Sequence, residues 1–119
     1  MVKDDGLDIL LLLHGEIFVD NTGYWQKIEA WRVPVTEAIP HGLRYSLTLH
    51  DRFNQRVLGY DNAHAVKARK KKYSGKRYVE WDHVHRDAHD PGKHYEFISA
   101  TQLLEDFFRD VNSYLETIG

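Results

Sequence analysis

The sequence predicts a single α+β domain: an antiparallel sheet of about five or six strands with one C-terminal helix packed on one face. Three observations point to it. Turn chemistry divides the first half into strand-like segments, and the last fifth carries an unbroken apolar stripe of helical period. A chain of 119 residues, 42% hydrophobic and 29% charged, has material for one core, read as one domain over 1–119. The absence of Cys excludes a disulfide framework, a thiolate metal site and a cysteine nucleophile, in keeping with a reducing compartment.

The elements follow in chain order. Leu10 to Val19 and Tyr24 to Val33 are rich in aliphatic, aromatic and β-branched residues and flank Asp20-Asn21-Thr22-Gly23, which predicts a hairpin over 10–33 with Trp25 and Trp31 on its buried side. Pro34 and Pro40 bracket a connection to a second hairpin over 43–60, with strands Leu43 to His50 and Arg56 to Tyr60 around Asp51 to Gln55. In it Leu43, Tyr45, Leu47 and Leu49 share one face, and Arg44, Ser46, Thr48 and His50 the other. The segment 62–77 has few apolar residues and reads as an exposed loop or short helix. A His-rich strand region over 78–98 follows: Tyr78 to His85, a turn at Asp90-Pro91-Gly92, and a final short strand from Tyr95 to Ile98. The last element is a helix over 99–118. Ser99 and Gln102 have capping-box spacing, and Leu103, Leu104, Phe107, Phe108, Val111, Tyr114, Leu115 and Ile118 form its apolar stripe.

Charge is unevenly distributed. The net charge is −2, yet Lys67, Arg69, Lys70, Lys71, Lys72, Lys76 and Arg77 form a run of seven cations with no acid, leaving nine cations elsewhere to face 18 acids. With Tyr73 and Tyr78 interleaved, the run suits phosphates and unpaired bases of RNA; its plainer reading is a solvated loop. The longest apolar run, Ile9 to Leu13, is far short of the roughly 20 residues that span a membrane. The acidic start Met1-Val2-Lys3-Asp4-Asp5 argues against a secretory signal, so a cytoplasmic location is expected.

Five of the eight histidines lie in the second half, and His83 and His85 alternate onto one strand face. Three readings are open for them. Two imidazoles can share general acid and base work on a phosphodiester, with Arg86 stabilising the charge on phosphorus. With Asp87 or His89 they can ligate a metal, or they can serve only in surface and interstrand hydrogen bonds. Asp61 either closes a turn with Asn62 or orients a catalytic His. His41, between Pro40 and Gly42, lies in a loop that adapts to a ligand or simply enters a strand.

Six segments in fixed order carry a resemblance: Trp31-Arg32-Val33-Pro34, His41-Gly42-Leu43-Arg44-Tyr45-Ser46-Leu47, Gly59-Tyr60-Asp61-Asn62, Trp81-Asp82-His83-Val84-His85-Arg86, Tyr95-Glu96-Phe97, and Leu103-Leu104-Glu105-Asp106-Phe107 on to Val111. From about Leu10 to Leu115 the chain resembles the TumE family of bacterial toxin-antitoxin proteins. The resemblance implies a growth-inhibiting toxin acting on translation or RNA, usually encoded beside a helix-turn-helix antitoxin. The expected activity is then a metal-independent endoribonuclease without cofactor, acting on RNA such as ribosome-bound mRNA. His83 and His85 would be acid and base, Arg86 the stabilising cation, Asp61 the orienting carboxylate, His94 the reserve acid, and the run from Lys67 to Arg77 the phosphate contact. The competing expectations are a non-catalytic inhibitor that binds RNA or the ribosome, and a His-ligated, metal-dependent nuclease.

Overall fold

The computed structural model describes residues 5–62, 69–70, 77–78, 82–87, 89–90 and 92–118. Six strands form one antiparallel sheet in the order β1 (Ile17–Val19), β2 (Trp25–Arg32), β3 (Leu43–His50), β4 (Arg56–Asp61), β7 (His83–His85) and β8 (Lys93–His94). Helix α2 (Ala100–Ile118) packs on one face, and α1 (Asp5–Leu12) packs against α2. Two further short strands, β5 (Arg69–Lys70) and β6 (Arg77–Tyr78), pair with each other outside this sheet. The expected α+β architecture and its C-terminal helix are therefore present.

The core follows from strand alternation. Leu43, Tyr45, Leu47 and Leu49 of β3 are buried, in register with Ile28 and Ala30 of β2 and with Leu58 and Tyr60 of β4. Val84 of β7 continues the row opposite Tyr60. Leu103, Phe107 and Val111, each four residues from the next on α2, close this face from above. Ser99 caps the helix by accepting a hydrogen bond from the Gln102 amide at 3.0 Å. The Gln102 side chain does not complete a capping box; it donates instead to Asp106 at 2.8 Å.

Several expected elements differ; the strand expected from Tyr78 to His85 is divided, Tyr78 belonging to β6 and His83–His85 to β7, in separate sheets. Residues 10–12 belong to α1, so the first hairpin runs only from Ile17 to Arg32. A Leu run has no strand period, and Leu is a helix former without β-branching; Leu7, Leu10 and Leu11, spaced three and four apart, form the face turned to the core. The α1 start comes so close to α2 that a Cβ on Gly6 would collide with Thr101 Oγ1, and the Gly6 amide donates to that oxygen at 3.0 Å. On β2 the buried side is that of Ile28 and Ala30, whereas Trp31 is 43% exposed and Trp25 stacks on His50 with ring centroids 3.9 Å apart. The tryptophans are bulky but lie on the sheet face away from α2. The last strand is Lys93–His94, and residues 95–98 are irregular. There the Tyr95 hydroxyl reaches up to Asp106 of α2 at 2.6 Å, and Phe97 packs on His41 at 4.1 Å.

Candidate functional site

The β4–β7 pairing builds the site. Asp61 lies opposite His83, and Gly59 opposite His85, while Tyr60 and Val84 between them face the core. Asp61, His83 and His85 therefore share the sheet face away from α2. All three are buried, with side-chain exposures of 12%, 8% and 9%. His83 Nε2 lies 2.9 Å from Asp61 Oδ1, and His85 Nε2 lies 3.5 Å from Asp61 Oδ2. The two rings meet edge to face, 4.7 Å between centroids and 78° between planes.

Neighbouring groups hold this trio. His85 Nδ1 faces the Asp90 carbonyl oxygen at 2.9 Å, and the Asp90 carboxylate accepts from the Arg86 and Gly92 amides at 3.0 and 2.8 Å. These amides hold the Asp90 carboxyl below its usual pKa. Gly92 has φ of +105°, and a Cβ there would sit 2.8 Å from His85 Cε1 and 3.0 Å from His83 Cδ2. Only glycine fits both the conformation and the space. Arg56 folds over Gly59 and brings Nη1 to 3.9 Å from Asp61 Oδ2. Burial pushes the Asp61 carboxyl up in pKa, but the His83 hydrogen bond and the charges of His83, His85 and Arg56 outweigh it and hold it below 3.8.

Asn62 fixes the end of β4. Its side chain accepts from the Tyr45 amide at 2.9 Å and donates to the Leu43 carbonyl at 2.7 Å, so it extends the ladder to β3 rather than closing a turn. Asp61 is thereby a strand residue aimed at the histidines. Next to the trio, on the core side, is a second polar group: Asp82 Oδ2 accepts from the Tyr45 hydroxyl at 2.6 Å and from His41 Nε2 at 2.8 Å. His41 Nδ1 accepts from the Leu43 amide, which fixes the proton on Nε2. Burial, and then the Asp82 charge, push the Tyr45 hydroxyl far up in pKa, so it serves as a donor.

The structure brings together Asp61, His83 and His85, and not Arg86. Arg86 turns to the helix side, where it pairs with Asp110 at 3.4 Å and lies 3.4 Å from the Tyr60 hydroxyl. His94 is exposed and in register with His83 at the sheet edge. Asp87 and His89 are exposed and bonded to each other, the Asp87 carboxylate accepting from the His89 amide. Arg69, Lys70 and Arg77 lie on the β5–β6 ladder, not in a loop or helix, whereas Lys67, Lys71, Lys72 and Lys76 lie outside the described residues. Sequence reasoning missed Arg56, Gly92 and the Asp82 group. Arg56 is an unremarkable strand residue until the register is known. For Tyr45 a signal existed, because a tyrosine on a buried strand face needs a partner for its hydroxyl.

Comparison with known families gives a match over most of the chain. Residues 8–115 match the family model described as Toxin TumE. The chain belongs to the TumE toxin family. The match spans the whole six-stranded sheet and most of α2, so it includes every residue of the trio and its supports. This TumE-family protein is thus a toxin of a toxin-antitoxin pair and has an antitoxin as its partner. No curated protein and no solved structure matches the chain. Among the described residues, no helix is long and apolar enough to cross a membrane.

Proposed function

We propose that this TumE-family toxin is an endoribonuclease that stops translation by cutting RNA at the Asp61–His83–His85 cluster. The observation that carries this reading is the convergence of both imidazoles on one buried carboxylate, with the Arg56 guanidinium beside it. The basic segment adds to it. That segment is the connection between β4 and β7, leaving after Asp61 and returning before His83, and these two residues are register partners. Seven cations are therefore tethered to the site at both ends, where they can hold a phosphate backbone. Arg56 takes the role of neutralising charge on the scissile phosphate, and exposed His94 is the proton donor nearest by register. The antitoxin, a helix-turn-helix protein in this reading, blocks access to that face in the cytoplasm.

Two chemistries fit the cluster. In the metal-independent one, His83 and His85 take a proton from the 2′-hydroxyl and return one to the leaving oxygen, leaving a cyclic phosphate. In the other, a bound ion activates water and a deoxy substrate is also cut. The bonding of His85, whose Nδ1 is engaged by the Asp90 carbonyl and whose Nε2 faces Asp61, favours the second.

The test uses purified toxin, one RNA, and its 2′-deoxy counterpart, with the product ends identified. Discrete cleavage that falls roughly 100-fold or more in His83→Ala and in Asp61→Asn supports the proposal. Growth arrest without cleavage, silent in those variants and abolished by charge reversal at Lys70, Lys71 and Lys72, would establish a binding-only inhibitor.

A further inference from the structure

We propose that Asp61, His83 and His85 form a binding site for one divalent transition-metal ion of the zinc type, held by the carboxylate and the two Nε2 atoms. What the ion does rests on the ribonuclease reading of this cluster; that it binds rests on geometry alone.

The hydrogen bonds of His85 are the starting point. The Asp90 carbonyl can only accept, so Nδ1 carries a proton, and Nε2 is the ring atom left turned inward to Asp61. That atom lies 3.5 Å from Asp61 Oδ2, long for a direct hydrogen bond. A ring nitrogen and a carboxylate oxygen so placed in a buried pocket are bridged either by a proton or by a metal ion. A ring whose Nδ1–H is held by a backbone carbonyl, with Nε2 turned inward, is also how metal-ligating histidines are ordinarily oriented.

The donor set fits in spacing. One donor atom from each of the three residues lies within 4.8 Å of the others. Ligands about 2.0–2.2 Å from zinc lie roughly 3–3.5 Å apart in a tetrahedron, so no donor needs to move by more than about an ångström. The two rings meet edge to face beside the Asp61 carboxylate. Gly92, by carrying no side chain, leaves both rings room to do so.

The chemistry of the donors selects the ion. Two imidazoles and one carboxylate suit zinc and its neighbours, whereas magnesium and calcium prefer all-oxygen shells. Three protein ligands leave at least one position open for water, which zinc acidifies to a pKa of about 7. On RNA the resulting hydroxide would form a new bond from its oxygen to phosphorus while the bond from phosphorus to the sugar oxygen breaks. The proton released on forming the hydroxide goes to solvent, and the leaving oxygen takes one up, from His94 or water. Arg56, beside Asp61 but donating no lone pair, is placed to hold a phosphate oxygen next to the ion.

The experiment is equilibrium dialysis of tag-free, full-length, chelator-stripped toxin against zinc, with metal analysis and a thermal melt in parallel. The expected result is about one zinc per chain, undiminished by millimolar magnesium. The melting temperature should rise by about 10 °C at a hundredfold excess over Kd. Asp61→Asn and His85→Ala should each weaken binding by roughly 100-fold or more, while His89→Ala, altering an exposed histidine outside the trio, binds as wild type does. Should the His85 variant not fold, the zinc-induced stabilisation of wild type and of His89→Ala remains the readout. Absence of stoichiometric zinc, binding unchanged in folded Asp61→Asn, or binding lost in His89→Ala would each overturn the inference. RNA cleavage that persists in chelator overturns the ion's part in the reaction while leaving the ribonuclease reading intact. Stoichiometric zinc on a protein that cuts no RNA does the reverse.

Discussion

Removing the carboxylate of Asp82 should be among the most damaging single changes outside the apolar core. Its Oδ2 atom accepts from the Tyr45 hydroxyl at 2.6 Å and from His41 Nε2 at 2.8 Å, and Tyr45 is fully buried. In Asp82→Ala a hydrogen bond to a charged acceptor is lost, worth about 1.5–3 kcal/mol, and the orphaned hydroxyl costs about 1–3 kcal/mol more. A loss of about 3–5 kcal/mol is expected in total. For a chain of 119 residues the unfolding entropy is about 0.25 kcal/mol/K, so the melting temperature should fall by about 12–20 °C. Tyr45→Phe removes the donor instead and should cost only about 1–2 kcal/mol. The double variant should then be more stable than Asp82→Ala alone, because no hydroxyl is left unpaired. Thermal and urea unfolding followed by circular dichroism measures all three. An Asp82→Ala protein within about 1 kcal/mol of wild type, or a double variant less stable than that single one, refutes the reasoning.

Other expectations follow from the same packing. Phe107 is fully buried against Tyr60, so Phe107→Ala should lose about 3–5 kcal/mol in urea unfolding and Phe107→Asp should not fold; a soluble Phe107→Asp with an unchanged melting temperature contradicts the orientation of α2. Gly92→Ala places a methyl against both site histidines at positive φ, so RNA cleavage should drop by roughly 10-fold or more with a stability loss of about 1–3 kcal/mol; wild-type activity would show the two rings free to shift. Burial pushes Asp106 up in pKa, but hydrogen bonds from Tyr95, Gln102 and Arg109 hold it below 3.8. A carboxyl depressed in the folded state gives stability that is complete above its unfolded pKa and is lost as pH falls through the folded one. Unfolding free energy should therefore decline below about pH 4, and less steeply in Asp106→Asn; equal acid dependence in the two proteins speaks against this role.

Legibility in the sequence followed the length of the periodic signal. Helix α2 and strand β3 carry several full periods: the buried residues of β3 are the predicted ones, and on α2 Leu103, Leu104, Phe107 and Val111 are buried as expected, whereas Ala100 is buried outside the predicted stripe and Ile118 at its end is exposed. The Leu run of α1 satisfies a helix or a strand equally, and only its packing against α2 decides. The site was legible as residue types on one strand, His83 and His85, and as a separate Asp61. Their union is a long-range fact, because it needs β4 to pair with β7 across a connection of 21 residues, 62–82, in a register that no local pattern specifies. The same reason explains Arg86, one residue beyond β7, whose guanidinium turns to Asp110, while Arg56 reaches Asp61 from the start of β4. The group of His41, Tyr45 and Asp82 likewise joins two segments about 40 residues apart, and alternation foretold only that Tyr45 would be buried.

The most direct test of the central claim is induced expression of wild type and of the His83→Ala, His85→Ala double variant, with growth and RNA ends followed in the same cultures. Growth arrest with discrete RNA ends in wild type, both absent with the folded double variant, is the predicted result. Equal arrest by both proteins with intact RNA would contradict it, leaving the histidines as structural residues and the basic segment as the toxic surface.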